Sequence, residues 1–196
     1  SVLNITGAEQ VRDIQKIVMD NSRLKIPLIF GFDVIHGFKT ISPIPLAEAA
    51  SWDLKTIEKS ARMAAEEASA AGINWTFAPM VDVSRDARWG RVMEGSGEDP
   101  YLGSQIAVAR IKGFQGTDLA ANNTILACAK HFVGYGFAEA GRDYNSVDVS
   151  EATLENVLFP PFKASVDAGV RTFMNAFNDL NGVPATASSY LQRDVL

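Results

Sequence analysis

"ILACAKHFVGYG", residues 125–136, opens as a buried strand: Ile125 to Val133 is apolar except for one adjacent pair, Lys130 and His131. It closes on a glycine-flanked turn, Gly134-Tyr135-Gly136. A continuous apolar run that delivers polar residues at its carboxyl end is the strand unit of parallel α/β sheets, which place their ligand sites there. Successive strand side chains point to opposite faces. A regular strand would therefore send only one of Lys130 and His131 toward such a site.

The same unit recurs on both sides. "IPLIFGF" (26–32) is a strand ending at Asp33, "NWTFAPMVDV" (74–83) is the next, and a further strand covers 171–177. "IPLAEAAS" (44–51) reads as a short strand. Helical patterns lie between. Thr6 and Glu9 form a T-x-x-E capping box before a helix with Val11, Ile14, Ile17 and Val18 on one face. Asp53 opens a long helix carrying Leu54, Ile57, Ala61, Ala64, Ala68 and Ala71 at helical spacing, and Gly72 ends it. Asp99 followed by Pro100 is an N-cap with proline at the first helical position, and that helix runs to about Gly116. A helix near 151–168 contains Pro160 and Pro161, and a last one starts about Ser188.

Apolar strands alternating with helices imply a parallel sheet covered on both faces. The choices are an open doubly wound sheet and a (β/α) barrel. No G-x-G-x-x-G follows the first strand, so the dinucleotide-binding form lacks its signature. Polar, Gly-rich stretches follow the strands instead: "DVIHG", "DVSRDARWGRVMEGSGED", "KHFVGYGFAEAGRDYN" and "NDLNGVPA". A barrel gathers its active-site loops in just this position. A complete barrel takes roughly 250 residues, and five or six strands are legible in 196. The expected fold is a truncated TIM-type (β/α) barrel with about five to six of the eight βα units. It forms one domain over 1–196, with no linker or repeat to divide it.

Composition narrows the function. Hydrophobic residues make up 47% of the chain, enough for one sizeable core, and the formal net charge is −5 with scattered basic residues. That counts against a nucleic-acid surface, where a basic stripe is expected. No apolar run approaches the ~18 residues that span a bilayer. The opening "SVLNITGAEQ" has no signal-peptide pattern and no initiator Met, so Ser1 reads as a cut or processed end. Cys128 is the single cysteine and reads as a small buried hydrophobe. With only His36 and His131, and no cysteine pair, neither a zinc site nor a cofactor is expected.

The densest polar loop is "DVSRDARWGRVMEGSGEDPY", which sets Asp82, Asp86, Glu94, Glu98 and Asp99 beside Arg85, Arg88 and Arg91. Two of these carboxylates could serve as the acid and nucleophile of a glycosidase. The plainer reading is a salt-bridged loop whose arginines hold the carboxylates, with Asp99 as a helix cap. Asp33, at the carboxyl end of its strand, suits acceptance from vicinal hydroxyls or a cap on the next turn. Lys130 and His131 are donors for the same pocket. A buried unpaired ammonium is expensive, so Lys130 needs a counter-charge.

Together these residues carry a resemblance. "GFDVIHG", "FAPMVDVSRDARWGRVMEGSGEDPYL", "ACAKHFVGYG", "YNSVDVS", "LFPPFKASVDAG" and "FNDLNGVPATAS" resemble, in order, the N-terminal barrel of glycoside hydrolase family 3. They are most similar to its bacterial β-glucosidases, often periplasmic. The resemblance implies a retaining β-glycosidase acting on a terminal glucosyl residue of a β-glucoside or oligosaccharide, located in the periplasm or secreted. It implies substrate binding by Asp33, by Arg91, and by the Lys130–His131 pair. Arg142 lies where some members place a further arginine. Phe177 lies where many members have a tyrosine near the nucleophile, so a hydroxyl is missing here. The family's nucleophilic Asp stands in an "SD" motif one βα unit beyond "LQRDVL", and its acid/base Glu in a following domain. No residue of 1–196 matches either, and the isolated chain is expected not to hydrolyse glycosides. Tyr135, with no second histidine in its loop, argues against the β-N-acetylhexosaminidase subgroup.

Rival readings are a non-catalytic sugar-binding module, a β-xylosidase-type specificity, and an aldolase with Lys130 as a Schiff base. The resemblance also bears on the adjacent Lys130 and His131. Both can bind one sugar only if the backbone is irregular at the strand's end, through a bulge or a cis peptide at Lys130–His131 or Phe132–Val133. Family members carry such cis bonds at this place, so the cis form is expected.

Overall fold

The computed structural model describes residues 1–196. Short parallel strands form an arc with helices on its outer side. β1 (Val2–Leu3), β2 (Phe30–Phe32) and β3 (Trp75–Thr76) pair in that order, all parallel. β4 (Cys128–Phe132) and β5 (Thr172–Asn175) form a second parallel pair. Parallel bridges Trp75↔Leu126 and Met80↔Lys130 join the two groups. Hydrogen bonds continue across that seam from Thr76 N to Leu126 O, Cys128 N to Ala78 O and Val81 N to Lys130 O. The arc is a truncated TIM-type barrel, as the alternation of apolar strands and helices implies. A short antiparallel hairpin, β6 (Asp179–Leu180) with β7 (Val183–Pro184), follows it.

Where helix signals are local, the structure follows them. α3 (Leu54–Ala70) starts at Asp53, whose carboxylate accepts from Thr56 N, and Gly72 takes φ +87° just beyond its end. α4 (Pro100–Gln115) starts at Asp99, which accepts from Tyr101 N and Leu102 N. The two helices pack closely because Gly113 has no side chain. An added Cβ would lie 2.5 Å from the carbonyl oxygen of Glu58.

The strand expected over 74–83 is ladder-paired only at Trp75–Thr76, with an isolated bridge at Met80, and three further expectations fail. α1 (Ala8–Asn21) begins one residue later than Thr6 implies: its N-cap is Gly7, with no side-chain cap bond. Gly7 N donates to Ala71 O at 2.8 Å, and this tertiary bond sets the helix entry. None of the residues of α1 is fully buried, and Ile17 is largely exposed. "IPLAEAAS" is not a strand but helix α2 (Pro45–Ala50), with Pro45 in its first turn and alanines favouring the helix. The strand expected over 26–32 enters the ladder only at Phe30, leaving Ile26 and Ile29 exposed.

The helix expected near 151–168 forms in three pieces. α5 (Glu151–Thr153) runs through π-helical turns at Leu154–Leu158 into α6 (Pro160–Asp167). A missing proline N–H leaves a gap in an α-helical ladder, and Pro160 and Pro161 fall at the start of the last piece. The chain ends in π-helical turns, Tyr190–Val195. The largest core cluster lies around β4, where Phe132, Val133 and Tyr135 pack with Trp89, Leu158 and Phe162.

Candidate active site

β2, β4 and the loop 82–99 meet at the carboxyl ends of the strands. Asp33 follows β2 directly, and Lys130 and His131 lie within β4. Lys130 and His131 are both buried, with 2% and 1% exposure. The ladder explains how neighbours both reach functional partners. Lys130 pairs with Met174 and Phe132 with Asn175, so the register shifts across His131. The Lys130–His131 and Phe132–Val133 peptides are both cis, as the family resemblance implies. Beyond them Gly134 has φ +92°. At Gly136 an added Cβ would lie 2.2 Å from Val83 O, so only glycine lets β4's exit approach the neighbouring loop.

Lys130 Nζ lies 3.3 Å from each oxygen of Asp33 and 3.7 Å from Glu94 Oε2. Two carboxylates thus compensate the buried ammonium. Arg91 grips Glu94 with two bonds, Nε at 2.6 Å and a terminal nitrogen at 2.9 Å, in the fork geometry suited to a carboxylate. The Arg91 guanidinium lies 5.5 Å from the centre of the Tyr135 ring. Asp33, Lys130, Glu94 and Arg91 therefore form one charged chain, brought together from positions up to 97 residues apart.

His131 is held separately. Asp82 Oδ2 accepts from the His131 backbone N–H at 3.0 Å and lies 2.8 Å from its Nδ1. A carboxylate accepts, so Nδ1–H donates and Nε2 is left for another partner. Asp82 Oδ1 is buried with no hydrogen-bond partner in the protein. Phe177 is 58% exposed, and its ring centre is 5.9 Å from that of His131. Arg142 is exposed, and its side chain joins none of these contacts. Its chain neighbour Asp143 accepts from Trp89 Nε1 at 2.9 Å and from the Tyr135 hydroxyl.

Burial acts to raise the Glu94 carboxyl, but the bonds from Arg91 and the charges of Arg91, Lys130 and His131 outweigh it, so its pKa is lowered. Asp86 is drawn down to about 2, chiefly by hydrogen bonds from Arg88. For Asp143, burial is outweighed by bonds from Tyr135 and Trp89, and its pKa also falls. Burial, then the bond to Asp143, pushes the Tyr135 hydroxyl up. Burial likewise raises the Cys128 thiol.

The contacts of Asp86, Glu94 and Asp99 fit the salt-bridged reading of the loop 82–99. Asp86 and Glu94 are held as ionised acceptors by Arg88 and Arg91, and Asp99 caps α4. A general acid needs a raised pKa, and the shifts of Asp86 and Glu94 run the other way. Sequence reasoning placed Asp82 and Glu94 in this salt-bridged loop and missed that they serve His131 and Lys130. It also missed Tyr135 and Asp143. The one available signal was the need of a buried lysine for a counter-charge.

Residues 1–196 match the model of the glycosyl hydrolase family 3 N terminal domain. The chain is 46% identical over its whole length to a periplasmic beta-glucosidase of Salmonella typhimurium, covering 26% of that protein. It is 38% identical to a beta-xylosidase of Formosa agariphila, covering 29% of it. The structure is similar to that of a beta-glucosidase from Listeria innocua, with TM-score 0.95, 45% identity, and coverage of 100% of this chain and 27% of the other. A mutant of that enzyme in complex with laminaribiose gives 0.97 at 46% identity, over 99% of this chain and 27% of the other. The chain thus spans about a quarter of the length of these relatives. By sequence and by fold, it belongs to glycosyl hydrolase family 3, within that family's N-terminal barrel domain.

Proposed function

We propose that this chain is the sugar-binding part of a retaining β-glucosidase barrel, acting on terminal β-glucosyl residues within a longer protein. One observation carries the reading: Asp33, half exposed, is aimed by the buried Lys130 at the open end of the strands, with Arg91 and Glu94 behind it. An ionised carboxylate in that position accepts from two hydroxyls at once, Lys130 supplies a donor, and His131 presents Nε2 as a further polar partner. Asp33, Arg91, Lys130, His131, Arg142 and Phe177 are the proposed substrate contacts. Charge-assisted bonds to hydroxyls raise kcat only where they strengthen in the transition state.

None of the 196 residues is assigned as nucleophile or acid/base. In retaining hydrolysis those two carboxyl groups lie ~5–5.5 Å apart, and of the loop carboxylates Asp86 and Glu94 are already engaged by Arg88 and Arg91, Asp82 by His131 and Asp99 by the start of α4. The next βα unit of the barrel is the proposed source of the nucleophile, and a following domain of the longer protein that of the acid/base. The close relative from Salmonella is periplasmic, which supports the same location here. No helix is long and apolar enough to cross a membrane.

The 38% identity to a beta-xylosidase supports a second reading, the same chemistry on a xylosyl unit. Both are tested by presenting the full-length protein with matched β-glucosides and β-xylosides and following the first-formed product by NMR. Glucose released first as the β-anomer is expected. Release of the α-anomer, or a faster reaction with the xyloside, would overturn retention or glucose preference respectively. The 196-residue chain alone is expected to bind glucose without turning over a chromogenic β-glucoside.

A further inference from the structure

Outward from His131 the site continues as a series of aromatic rings. His131 and Tyr135 are buried and meet edge-to-face with centres 5.1 Å apart. Phe177 touches both, at 5.9 and 5.5 Å, and Tyr144 lies 5.3 Å from Phe177 at an interplanar angle of 79° and 6.1 Å from Tyr135. Exposure rises along this path from 1% at His131 to 58% at Phe177 and 63% at Tyr144. Two large rings left in solvent beside a polar pocket forgo burial that a core position would provide.

The backbone at Tyr144 is also uncommon. Its φ is +64°, a left-handed conformation that bulky side chains rarely adopt. The segment is braced on both sides. Asp143 is fixed by Trp89 and Tyr135, and Asn145 donates to Glu139 O from its side chain and to Arg142 O from its backbone.

We propose that Tyr144, seated edge-on against Phe177, is the stacking platform for the second sugar ring of a β-linked glucosyl disaccharide. This rests on the β-glucosidase reading above. The charged groups at Asp33, Lys130 and Arg91 match the hydroxyls of the first sugar. The next unit then lies over the exposed rings, where the C–H face of a pyranose meets the electron-rich face of an aromatic ring. Tyr144 is a specificity-determining residue here, and it takes no part in the bond cleavage.

The test compares two substrates of the full-length protein: a β-linked glucosyl-glucose disaccharide and β-D-glucosyl fluoride, which carries no second ring. Tyr144→Ala is expected to lower kcat/KM for the disaccharide about tenfold, the scale of one stacking contact, mainly through KM. Turnover of the fluoride is expected to stay within about twofold. Tyr144→Phe is expected to restore the disaccharide rate, because the ring and not the hydroxyl does the stacking. Tyr144→Gly, which accepts the left-handed backbone without strain, is expected to repeat the alanine result and covers a misfolded alanine variant. An equal loss on both substrates, an unchanged disaccharide rate, or no recovery with phenylalanine would overturn the platform. Failure of the wild-type protein to release glucose from either substrate would overturn the β-glucosidase reading, and the platform with it.

Discussion

Arg110 and Lys130 are both buried cations with carboxylate partners, and they differ in what those partners face. Arg110, on α4, is paired with Glu48 of α2, and their side chains are 5% and 9% exposed. It also donates to Ile35 O at 2.9 Å, while Glu48 accepts from Ser60 at 2.7 Å. Burial lowers the Arg110 pKa against the pull of Glu48. Lys130 is 2% exposed, but its partner Asp33 is 51% exposed. The first pair is closed on all sides and ties α2, α4 and the loop after β2 together. The second leaves a carboxylate with free accepting capacity at the mouth of the strands. Buried charge alone does not mark a site; a buried charge aiming a half-exposed one does.

The comparison breaks if the two pairs respond alike to mutation. Arg110→Ala should cost ~3–5 kcal/mol of folding stability, because it strands Glu48 in the interior. Asp33→Ala should cost less, because Glu94 still faces the Lys130 ammonium at 3.7 Å and water reaches the space that Asp33 leaves. Urea titrations of the two variants decide this, and equal losses would remove the distinction.

Activity should show the reverse order. In the full-length protein Asp33→Ala is expected to reduce kcat/KM about a hundredfold, the loss of charge-assisted hydrogen bonds worth ~1.5–3 kcal/mol each. A reduction no larger than that of Asp99→Ala, which removes only a helix cap, would refute the assignment of Asp33.

Acid sharpens the comparison from the carboxylate side. Glu94 has a folded-state pKa below its ordinary 4.5. Its contribution is therefore fully present above the ordinary carboxyl range and is lost as pH falls through the depressed value. Half-buried and screened, that contribution should be about 1 kcal/mol or less. Glu94→Gln should flatten the acid limb of stability against pH, and a limb parallel to the wild type would count against the Arg91–Glu94–Lys130 linkage. The smallest effect belongs to the local caps: Asp99→Ala should lower stability by ~1 kcal/mol in thermal or urea unfolding, and Asp53→Ala should shift the midpoint in the same direction.

What the chain alone determined is what neighbours in sequence can settle. The starts of α3 and α4 were legible because Asp53 and Asp99 bond to amides two or three residues on. The alternation of strands and helices, and hence the barrel, was legible from periodicity. The order of the motifs sufficed to place the chain in its family. Elsewhere a distant contact overrode a local signal. Thr6 lost the helix cap because Gly7 is bound by Ala71, and the strand at 26–32 shrank to the three residues that found partners in the ladder. Tertiary structure also decided the site. Asp82 lies 49 positions from His131 and Asp33 lies 97 from Lys130. Nothing in either local segment selects one carboxylate over another; the closing arc of strands does, by bringing particular chain ends within hydrogen-bonding reach.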